Sequence, residues 1–539
     1  MRTVFDPDEH WQSIEIAHRL VFGYGFATWE WQLDDALRSS LHPLLFAAPF
    51  ALLRLFGVDS RFAVWLAPRL LQAVLAALTD AALFALATRV FSLAVARRTR
   101  WLLLCSWFAA FCLPRTYANC LEATLVLWAL ERWHAAQPSR VVPLAIAALA
   151  CLVRPTAVVY FVPMGVFELG VAYRSSAQRL WRFVAEVLVV GVAAVAVGVL
   201  VDTVAYAALW NAWSPLKLRF SLANFALFNV VNDAGALYGT HVWHWYLTNA
   251  LPTMLLSFAP FLAVGLAVHR ARDGAAGAPL WLPAAASLAV HSLLSHKEFR
   301  FVLPAMLCLL PYCAVGVAFV VDRMPRPRRA LVWSAVLGLQ IPVALYFGLV
   351  HQRAPLSVIY RIGALHDASC GGALDVPCLD SVDFLTPCHS TPLYAYTHVP
   401  PDQLRLRILQ CAPPLSPRDT APSEDERFFA DPLAYLERTY DSSDADGGGE
   451  FESAAASVFL AQDGARSRRH GGPLRRWMPA GMVFFQPVLE SADVLLWLEE
   501  HHYALAECFF HAHVPVDSRH GHQMCLFLLD FDEANNATA

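Results

Sequence analysis

The sequence predicts a mostly α-helical, polytopic membrane protein that ends in a C-terminal α+β domain. Of its 539 residues, 57% are hydrophobic and 16% are charged, whereas an ordinary soluble domain carries roughly a quarter of charged residues. Apolar runs long enough to cross a bilayer fill residues 41–350 and then stop. Beyond them, short apolar runs at 480–485 and 525–529 have the length and composition of strands.

About ten membrane spans are predicted within residues 62–350. Two of them, 101–114 and 141–154, have only 14 residues and would cover about 21 Å of a hydrocarbon core that is about 30 Å thick. They are therefore either short spans or the arms of re-entrant hairpins. The stretch 41–57 contains two prolines and an arginine, which favours a helix at the membrane interface. The ten predicted spans are 62–93, 101–114, 117–133, 141–154, 156–173, 183–205, 251–268, 280–295, 299–321 and 330–350.

Four basic clusters predict the orientation of these spans. With ten spans, all four clusters fall on one side of the membrane, and positively charged loops stay in the cytoplasm. The other side then receives residues 1–61, as a first loop with interfacial helices, and residues 351–539, as a soluble domain. Residues 62–350 form the multi-span transmembrane domain between them. The clusters are 97–100, 174–182, 269–272 and 323–329.

Composition also excludes some partners and cofactors. The net charge is −4, and no basic patch with interleaved aromatic residues is present, so nucleic acid is not a predicted partner. No zinc-ligand spacing occurs among the cysteines, and no metal or other cofactor is predicted. Six of the twelve cysteines follow residue 351. In an oxidising compartment some of these should form disulfides; the alternative is buried free thiols.

The first candidate site is an acidic segment near the N-terminus. Its adjacent carboxylates, Asp8 and Glu9, lie beside aromatic and amide side chains, a combination suited to binding a polar acceptor and removing its proton. The neighbouring candidates for acceptor binding are Trp11, Gln12 and Trp29. The alternative is a helix N-terminus, because both carboxylates would stabilise a first helical turn.

The second candidate site is the ionisable cluster 296–301, which lies between two apolar runs. Ionisable groups this close to a bilayer are costly unless they serve a function. Lys297 and Arg300 are candidates for holding a phosphate, with Glu298 orienting one of them and His296 completing the cluster. The alternative is an interfacial anchor whose charged ends reach the lipid headgroups.

Two further features have the same pair of interpretations. Arg115 and Arg154 each lie at the non-cytoplasmic end of a predicted span, where they would either hold a phosphate or extend towards headgroups. The loop 238–246 is dense in Trp, His and Tyr, which suits either sugar stacking or an interfacial aromatic belt. Its candidates for sugar binding are Tyr238, His241, Trp243 and His244.

These motifs resemble those of glycosyltransferase family 22, whose members use dolichyl-phosphate-mannose. His-Lys-Glu-Phe-Arg-Phe at 296–301 resembles the family signature, and Pro-Asp-Glu at 7–9 resembles the acidic motif of its first luminal loop. Three further segments, 238–246, 387–392 and 409–414, resemble the branch of the family that adds the third mannose to glycosylphosphatidylinositol (GPI) lipids.

The resemblance implies a GT-C fold in the endoplasmic reticulum membrane, with the catalytic loops and the C-terminal domain in the lumen. The implied activity is alpha-1,2-mannosyl transfer from dolichyl-phosphate-mannose to the second mannose of a dimannosyl GPI glycolipid. The alternatives are the mannosyltransferases of N-glycan precursors or of the fourth GPI mannose and, from a different class, a transporter. Family members carry a transmembrane helix ahead of the acidic motif, so that first helix is expected to be missing from this chain.

The implied reaction inverts the anomeric carbon of a β-mannosyl phosphate in one displacement. It needs one base for the acceptor hydroxyl and cations for the departing phosphate, so neither a second carboxylate nor a metal is required. The family motif implies Asp8 as the base, with Glu9 beside it, and the position of the branch-specific segments implies a disulfide between Cys388 and Cys411. The implied phosphate ligands are His296, Lys297, Glu298, Arg300, Arg115 and Arg154, and the implied acceptor ligands are Trp11, Gln12, Trp29, Tyr238, His241, Trp243 and His244.

Overall fold

The structure is a computed structural model in which helices precede a small sheet. Helical segments dominate the chain up to residue 370, and five strands follow. It describes residues 2–33, 36–135, 139–231, 235, 239–272, 279–372, 377–411, 422–441 and 478–530.

Serine caps begin several of the helices. Ser60 Oγ accepts a hydrogen bond from Ala63 N at 3.3 Å, and Ser92 Oγ accepts one from Val95 N at 3.3 Å. Each cap satisfies a backbone donor that the first turn of a helix leaves unpaired. The helices are α1 Glu15–Phe22, α2 Leu41–Leu55, α3 Arg61–Val90, α4 Leu93–Cys105, α5 Trp107–Cys112, α6 Ala118–Trp133, α7 Val141–Val153, α8 Val158–Ser175, α9 Ala177–Leu209, α10 Ser221–Ala226, α11 Leu251–Leu255, α12 Ala259–Arg272, α13 Trp281–Leu293, α14 Leu303–Val321, α15 Arg326–Gly338, α16 Gln340–Leu349 and α17 Ala354–Cys370.

Six helical segments of the described chain are long and apolar enough to cross a membrane, whereas the sequence predicts about ten spans. The predicted span 101–114 is broken at Ser106, between α4 and α5. The predicted spans 117–133, 141–154 and 280–295 correspond to α6, α7 and α13, which have 16, 13 and 13 residues. The number of spans therefore stays a prediction. The six segments are Arg61–Val90, Pro155–Ser175, Ala177–Leu209, Tyr246–His269, Phe299–Val321 and Arg326–Cys370.

Helix α14 is the buried centre of the helical region. Its Gly316 packs against Gly265 of α12, and a Cβ added at Gly265 would lie 1.8 Å from Tyr312 O. A Cβ added at Gly316 would lie 2.0 Å from Phe261 O. Only glycine lets the two backbones approach so closely. This packing fixes the helix that directly follows the predicted cluster 296–301.

The chain after α17 forms a mixed five-stranded sheet in the order β2-β1-β3-β5-β4. The first strand runs parallel to two others, with Val382 paired to both Leu406 and Gly481, and the remaining pairs are antiparallel. The strands predicted at 480–485 and 525–529 are confirmed. The elements are β1 Ser381–Leu385, α18 Tyr394–Thr397, β2 Arg405–Ile408, α19 Glu424–Ala430, α20 Pro432–Leu436, β3 Gly481–Phe485, α21 Ala492–Glu500, β4 Tyr503–Phe510 and β5 Gln523–Leu529.

Three disulfides cross-link this C-terminal part of the chain. Cys388 and Cys411, the pair that the resemblance implies, are joined, with their Cα atoms 6.0 Å apart. The six cysteines that the structure describes in the helical region are free thiols. The other two disulfides are Cys370–Cys378 and Cys508–Cys525.

The N-terminal segment packs between the helices and the sheet. Val4, Trp11 and Ile14 belong to one hydrophobic core with Ile359 of α17 and Val382 of β1. Burial of these apolar side chains stabilises the contact. The acidic segment is thereby held by elements from both ends of the chain.

Candidate functional site

The acidic segment begins a helix, as one interpretation of the sequence predicts, but its two carboxylates have different partners. Asp8 and Glu9 lie in the first turn of a helical segment that passes through His10–Ile14 into α1. Arg300 Nη2 donates to Asp8 Oδ2 at 2.6 Å. Arg115 Nη1 donates to Glu9 Oε2 at 2.7 Å.

Arg300 joins the acidic segment to the cluster 296–301. Its side chain is only 4% exposed, and it donates to both carboxylate oxygens of Glu298, from Nε at 2.5 Å and from Nη2 at 2.9 Å. Its guanidinium also lies over the ring of Tyr117, 5.2 Å from the centroid. A two-pronged pair with a carboxylate fixes the plane of a guanidinium. The predicted base, Asp8, and the predicted phosphate ligand therefore meet directly.

Asp6 is a third carboxylate at this arginine, and it is not among the predicted site residues. Its Oδ1 lies 3.4 Å from Arg300 Nη2 and accepts a hydrogen bond from Asp8 N at 3.0 Å. Burial raises the pKa of Asp6 well above its usual value, against the opposing charge of Arg300. An aspartate that accepts from the backbone two residues later forms an Asx turn, and the Asp-Pro-Asp spacing is the signal that could have found it.

Glu9 and Arg115 form a buried ion pair. Arg115 is 1% exposed and donates to Thr3 O at 2.7 Å, Thr3 Oγ1 at 2.8 Å and Phe111 O at 2.8 Å, in addition to Glu9. Burial by itself would raise the pKa of Glu9, but the charges of Arg115 and His10 outweigh it and lower that pKa. Because these bonds keep Arg115 away from the surface, the geometry favours a structural role for the pair over proton transfer by Glu9 and phosphate binding by Arg115.

Lys297 ties the cluster 296–301 to the aromatic loop. It is 3% exposed, and its Nζ donates to His241 O at 2.9 Å and to Leu294 O at 2.5 Å. Burial lowers the pKa of this ammonium. Glu298 N also donates to Tyr246 Oη at 3.2 Å. These contacts favour positioning of the loop by Lys297 over direct phosphate binding.

His296 and Glu298 continue the ionic chain that starts at Arg300. His296 Nε2 lies 2.9 Å from Glu298 Oε1, and its Nδ1 lies 3.2 Å from Gly239 O. Burial works against a charged His296, but the Glu298 carboxylate outweighs it and raises the pKa of the imidazole. Burial likewise works against an ionised Glu298, but Arg300 and His296 lower its pKa. Glu298 is therefore an ionised bridge that orients Arg300.

Arg154 and Gln12 lie together in a cleft on one side of this cluster. Arg154 Nε lies 3.2 Å from Glu122 Oε2, and the guanidinium is 5.5 Å from the ring centroid of Phe301. Gln12 Nε2 donates to Glu30 Oε2 at 3.2 Å. Arg154 therefore contacts the cluster through Phe301, whereas Gln12 lines the same cleft and pairs with Glu30.

The predicted acceptor tryptophans differ in their surroundings. Trp11 is 1% exposed and its Nε1 donates to His389 O at 2.9 Å, so it is a core residue. Trp29 is half-buried, 5.6 Å from the ring of Phe228. His389 lies in the branch-specific segment but was not predicted as a site residue. Burial lowers its pKa to about 4, and the charge of Asp8 opposes this decrease.

The aromatic loop presents its side chains at the surface. His241 is exposed and stacks on Trp245 with ring centroids 4.7 Å apart. Trp243 is 67% exposed, and His244 is half-buried. Tyr238 lies outside the described residues. The loop contacts the cluster through His241 O, Tyr246 Oη and the ring of Trp245. The exposed rings of His241 and Trp243 remain available to a sugar or to the membrane interface.

Comparisons with known proteins point to one family of enzymes. Residues 1–398 match the model of the Alg9-like mannosyltransferase family. The chain is 33% identical to GPI alpha-1,2-mannosyltransferase 3 of Danio rerio, an alignment that covers 96% of this chain and 84% of the relative. The corresponding protein of Mus musculus is 34% identical, with coverages of 96% and 83%. GPI mannosyltransferase 3 of Yarrowia lipolytica is 31% identical, with coverages of 96% and 92%.

A solved structure shares the fold. ArnT from Cupriavidus metallidurans, bound to undecaprenyl phosphate, superimposes with a TM-score of 0.51 over 97% of this chain and 94% of ArnT. The two sequences are 13% identical, so the likeness concerns the fold alone. It confirms the GT-C fold that the resemblance implies.

Proposed function

Because the chain belongs to the Alg9-like mannosyltransferase family, and is therefore a glycosyltransferase and not the alternative transporter, we propose that it adds the third mannose to GPI lipids. Mannose passes from dolichyl-phosphate-mannose to the 2-hydroxyl of the second mannose, forming an alpha-1,2 linkage. The names of the relatives support this acceptor. The structural observation that carries the proposal is the hydrogen bond between Asp8 and Arg300, which supports Asp8 as the base and Arg300 as the cation for the phosphate.

Asp8 is the general base of the proposed reaction. Arg300 occupies its Oδ2, whereas Oδ1 accepts no hydrogen bond from any residue that the structure describes. The side chain is 29% exposed, so Oδ1 is accessible to an acceptor hydroxyl. A base must lie within hydrogen-bond reach of the proton that it removes, and this oxygen meets the requirement on the protein side.

Arg300 couples the base to the leaving group. When Asp8 takes the proton of the acceptor hydroxyl, it loses its charge and its ion pair with Arg300 weakens. In the same step the donor phosphate gains negative charge as the bond to mannose breaks. Arg300 then stabilises the phosphate where charge develops, which is the most effective form of electrostatic catalysis.

Asp6 and His296 reduce the negative charge of the cluster before the donor binds. The pKa of Asp6 is raised by burial, and the pKa of His296 is raised by Glu298 against the effect of burial. Both shifts favour the protonated forms and so weaken the repulsion of a donor phosphate. No metal is needed in this scheme.

The relatives and the apolar helices support an endoplasmic reticulum membrane protein, and we place residues 1–61 and 351–539 in the lumen. An N-glycosylation acceptor inserted near residue 445 should be glycosylated in microsomes. The same acceptor inserted into 323–329 should stay unmodified, as the matched control. The reverse pattern would contradict this orientation.

The activity itself is tested by reconstitution. Purified full-length protein is given dolichyl-phosphate-mannose with radiolabelled mannose and a dimannosyl GPI glycolipid, and the product is digested with an alpha-1,2-specific mannosidase. Release of the label supports the proposal, with Asp8→Asn as the inactive control. Transfer to an N-glycan precursor or to trimannosyl GPI instead would replace it with the alternatives within the family.

A further inference from the structure

The loop that joins strands β4 and β5, residues 511–522, reaches helix α16 in the membrane part of the protein. His513 Nδ1 of this loop lies 3.1 Å from Tyr346 Oη of α16, and the two ring centroids are 5.8 Å apart. Tyr346 precedes Leu349, the last residue of α16, by about 4.5 Å along the helix axis. The loop therefore contacts the side of the helix before the helix ends.

Main-chain hydrogen bonds hold the base of this loop against the turn that follows α16. His511 O accepts from Gln352 N at 2.8 Å and from Arg353 N at 3.3 Å. His511 N donates to His522 O at 2.7 Å, which closes the loop. Because these backbone groups are paired with one another, the fold itself sets the position of the loop relative to α16.

The uncovered side of α16 is apolar. Ile341, Leu345 and Leu349 are exposed and recur every four residues, so they form one stripe along the helix. The apolar segment Arg326–Cys370 includes this helix, and only 11% of its most apolar stretch is buried within the protein. An apolar helix of a membrane protein that other helices do not cover is covered by lipid. The stripe is thus a lipid-facing surface that continues to the end of α16.

The loop carries exposed apolar side chains next to His513. Val514 is 74% exposed and Val516 is 76% exposed, and Pro515 lies between them. Phe510, at the end of β4, is also exposed, and its ring centroid lies 4.7 Å from that of His513. Single exposed apolar residues need no explanation, but a group of them beside a lipid-facing helix indicates a surface that contacts the membrane.

The charged residues of the loop do not oppose such a contact. Asp517 is the only carboxylate in the sequence 511–522. Arg519 donates to both of its oxygens, from Nη2 to Oδ2 at 2.6 Å and from Nε to Oδ1 at 3.2 Å. A charge near hydrocarbon is costly chiefly when it has no partner, so this ion pair lowers the cost of bringing the loop to the bilayer.

We propose that residues 513–516 of this loop insert into the bilayer interface beside α16, in the leaflet on the side of the C-terminal domain. Continuity favours lipid over a protein partner, because His513 contacts the helix whose outer stripe already faces lipid. The C-terminal domain is then attached to the membrane through this loop as well as through α17. The inference goes beyond the proposed function and does not depend on mannose transfer.

Photo-crosslinking in the full-length protein tests this contact. The photoreactive residue p-benzoylphenylalanine replaces Val514 in one variant and Val516 in another, and each variant is irradiated in nanodiscs made of phosphatidylcholine. Mass spectrometry of the intact protein then identifies what has been captured. We expect both variants to gain the mass of one phospholipid, because the reactive group lies among the acyl chains or headgroups.

Position 505 is the matched control. Leu505 is an apolar residue of the same strand and is 57% exposed, and it lies five residues before Phe510, roughly 16 Å along β4. Glu507, between the two, pairs with Arg361 of α17 at 3.0 Å, so this part of the strand lies against α17 and not against α16. The same photoreactive residue at 505 should therefore capture no phospholipid.

The same variants are also irradiated in microsomes, where other proteins are present. A protein-sized adduct at 514 or 516 in place of the phospholipid would overturn the proposal and assign the loop to a protein partner or to a second copy of this chain. Absence of a lipid adduct at both positions, or equal labelling at 505, would overturn it as well. The thermal unfolding midpoint checks that each variant is folded, and the variant at 516 decides the outcome if the one at 514 unfolds.

Discussion

Arg300 Nη2 lies 2.6 Å from Asp8 Oδ2, although the two residues are 292 positions apart in the chain. The same guanidinium donates to both oxygens of Glu298, from Nε and from Nη2, and Nη2 also lies 3.4 Å from Asp6 Oδ1. Glu298 fixes the plane of the guanidinium, and in the proposed reaction Asp8 is the partner that the arginine exchanges for the donor phosphate. That arrangement separates the roles of the surrounding residues, and substitutions can test each role by itself.

Asp8→Asn should abolish mannose transfer and leave the protein folded. Asparagine keeps the shape of the side chain and can still accept from Arg300, but it cannot take a proton. Loss of a general base slows reactions by about 10²- to 10⁴-fold, which is measured as the initial rate of transfer to the dimannosyl GPI glycolipid.

Asp6→Asn is the matched control for this change, because it leaves the proposed base in place and should slow transfer less. A near-parental rate in Asp8→Asn would show that Asp8 only begins the helix. The base would then have to be sought at Glu9, Glu30 or Glu122.

Arg300→Lys should reduce kcat by about 100-fold, a loss typical of removing a charged donor at developing negative charge. Lysine keeps the charge, but one ammonium cannot span Glu298 and Asp8 with the forked geometry of a guanidinium. Steady-state kinetics with saturating donor and acceptor measure the effect.

Lys297→Met is the comparison for Arg300→Lys. Lys297 donates to main-chain carbonyl groups, so its loss should loosen the aromatic loop and raise the KM of the acceptor more than it lowers kcat. A loss of kcat as large as that of Arg300→Lys would instead restore Lys297 to the phosphate-binding role that the sequence predicts.

Sequence patterns predict which segments belong to the site better than they predict which residues of those segments contact one another. Composition and apolar runs predict a helical membrane protein, and the clusters at 7–9 and 296–301 mark two segments that the fold does bring together. Their contact depends on the packing of α14 and of the N-terminal segment, which are distant in sequence. Local spacing contains no information about such contacts.

The same limit explains the residues whose roles change. Glu9 follows Asp8 directly and looks equivalent in sequence, but successive helical residues face different directions, and only Glu9 faces Arg115. Trp11 looks like a sugar-binding residue because it follows an acidic motif. It is buried because the core that it joins includes β1, which comes from the other end of the chain.

The ion pair of His296 with Glu298 should make the stability of the cluster depend on pH. Glu298 raises the pKa of His296 above the unfolded value of about 6.5. The pair therefore stabilises the folded protein fully below about pH 6.5, and this contribution is lost as the pH rises through the higher folded pKa. The thermal unfolding midpoint of the parent should exceed that of His296→Gln at acidic pH, and the difference should shrink in alkaline buffer.

A difference for His296→Gln that grows as the pH rises would contradict the assigned direction of the pKa shift.

Glu9→Gln should destabilise the protein and yet leave the folded fraction active. It removes the negative partner of Arg115, which is 1% exposed, and an unpaired buried charge costs about 3–5 kcal/mol. The thermal unfolding midpoint should therefore fall by several degrees, whereas kcat per folded molecule should stay close to that of the parent because Asp8 remains the base. Arg115→Met should lower the midpoint as well, and the double variant should lose less than the sum of the two single losses, because neither charge is then left without its partner.

Asp8→Asn provides the opposite pattern, an inactive protein with a nearly unchanged midpoint. If Glu9→Gln instead stays as stable as the parent and loses transfer, proton removal belongs to Glu9 and the pairing with Arg115 serves to activate it.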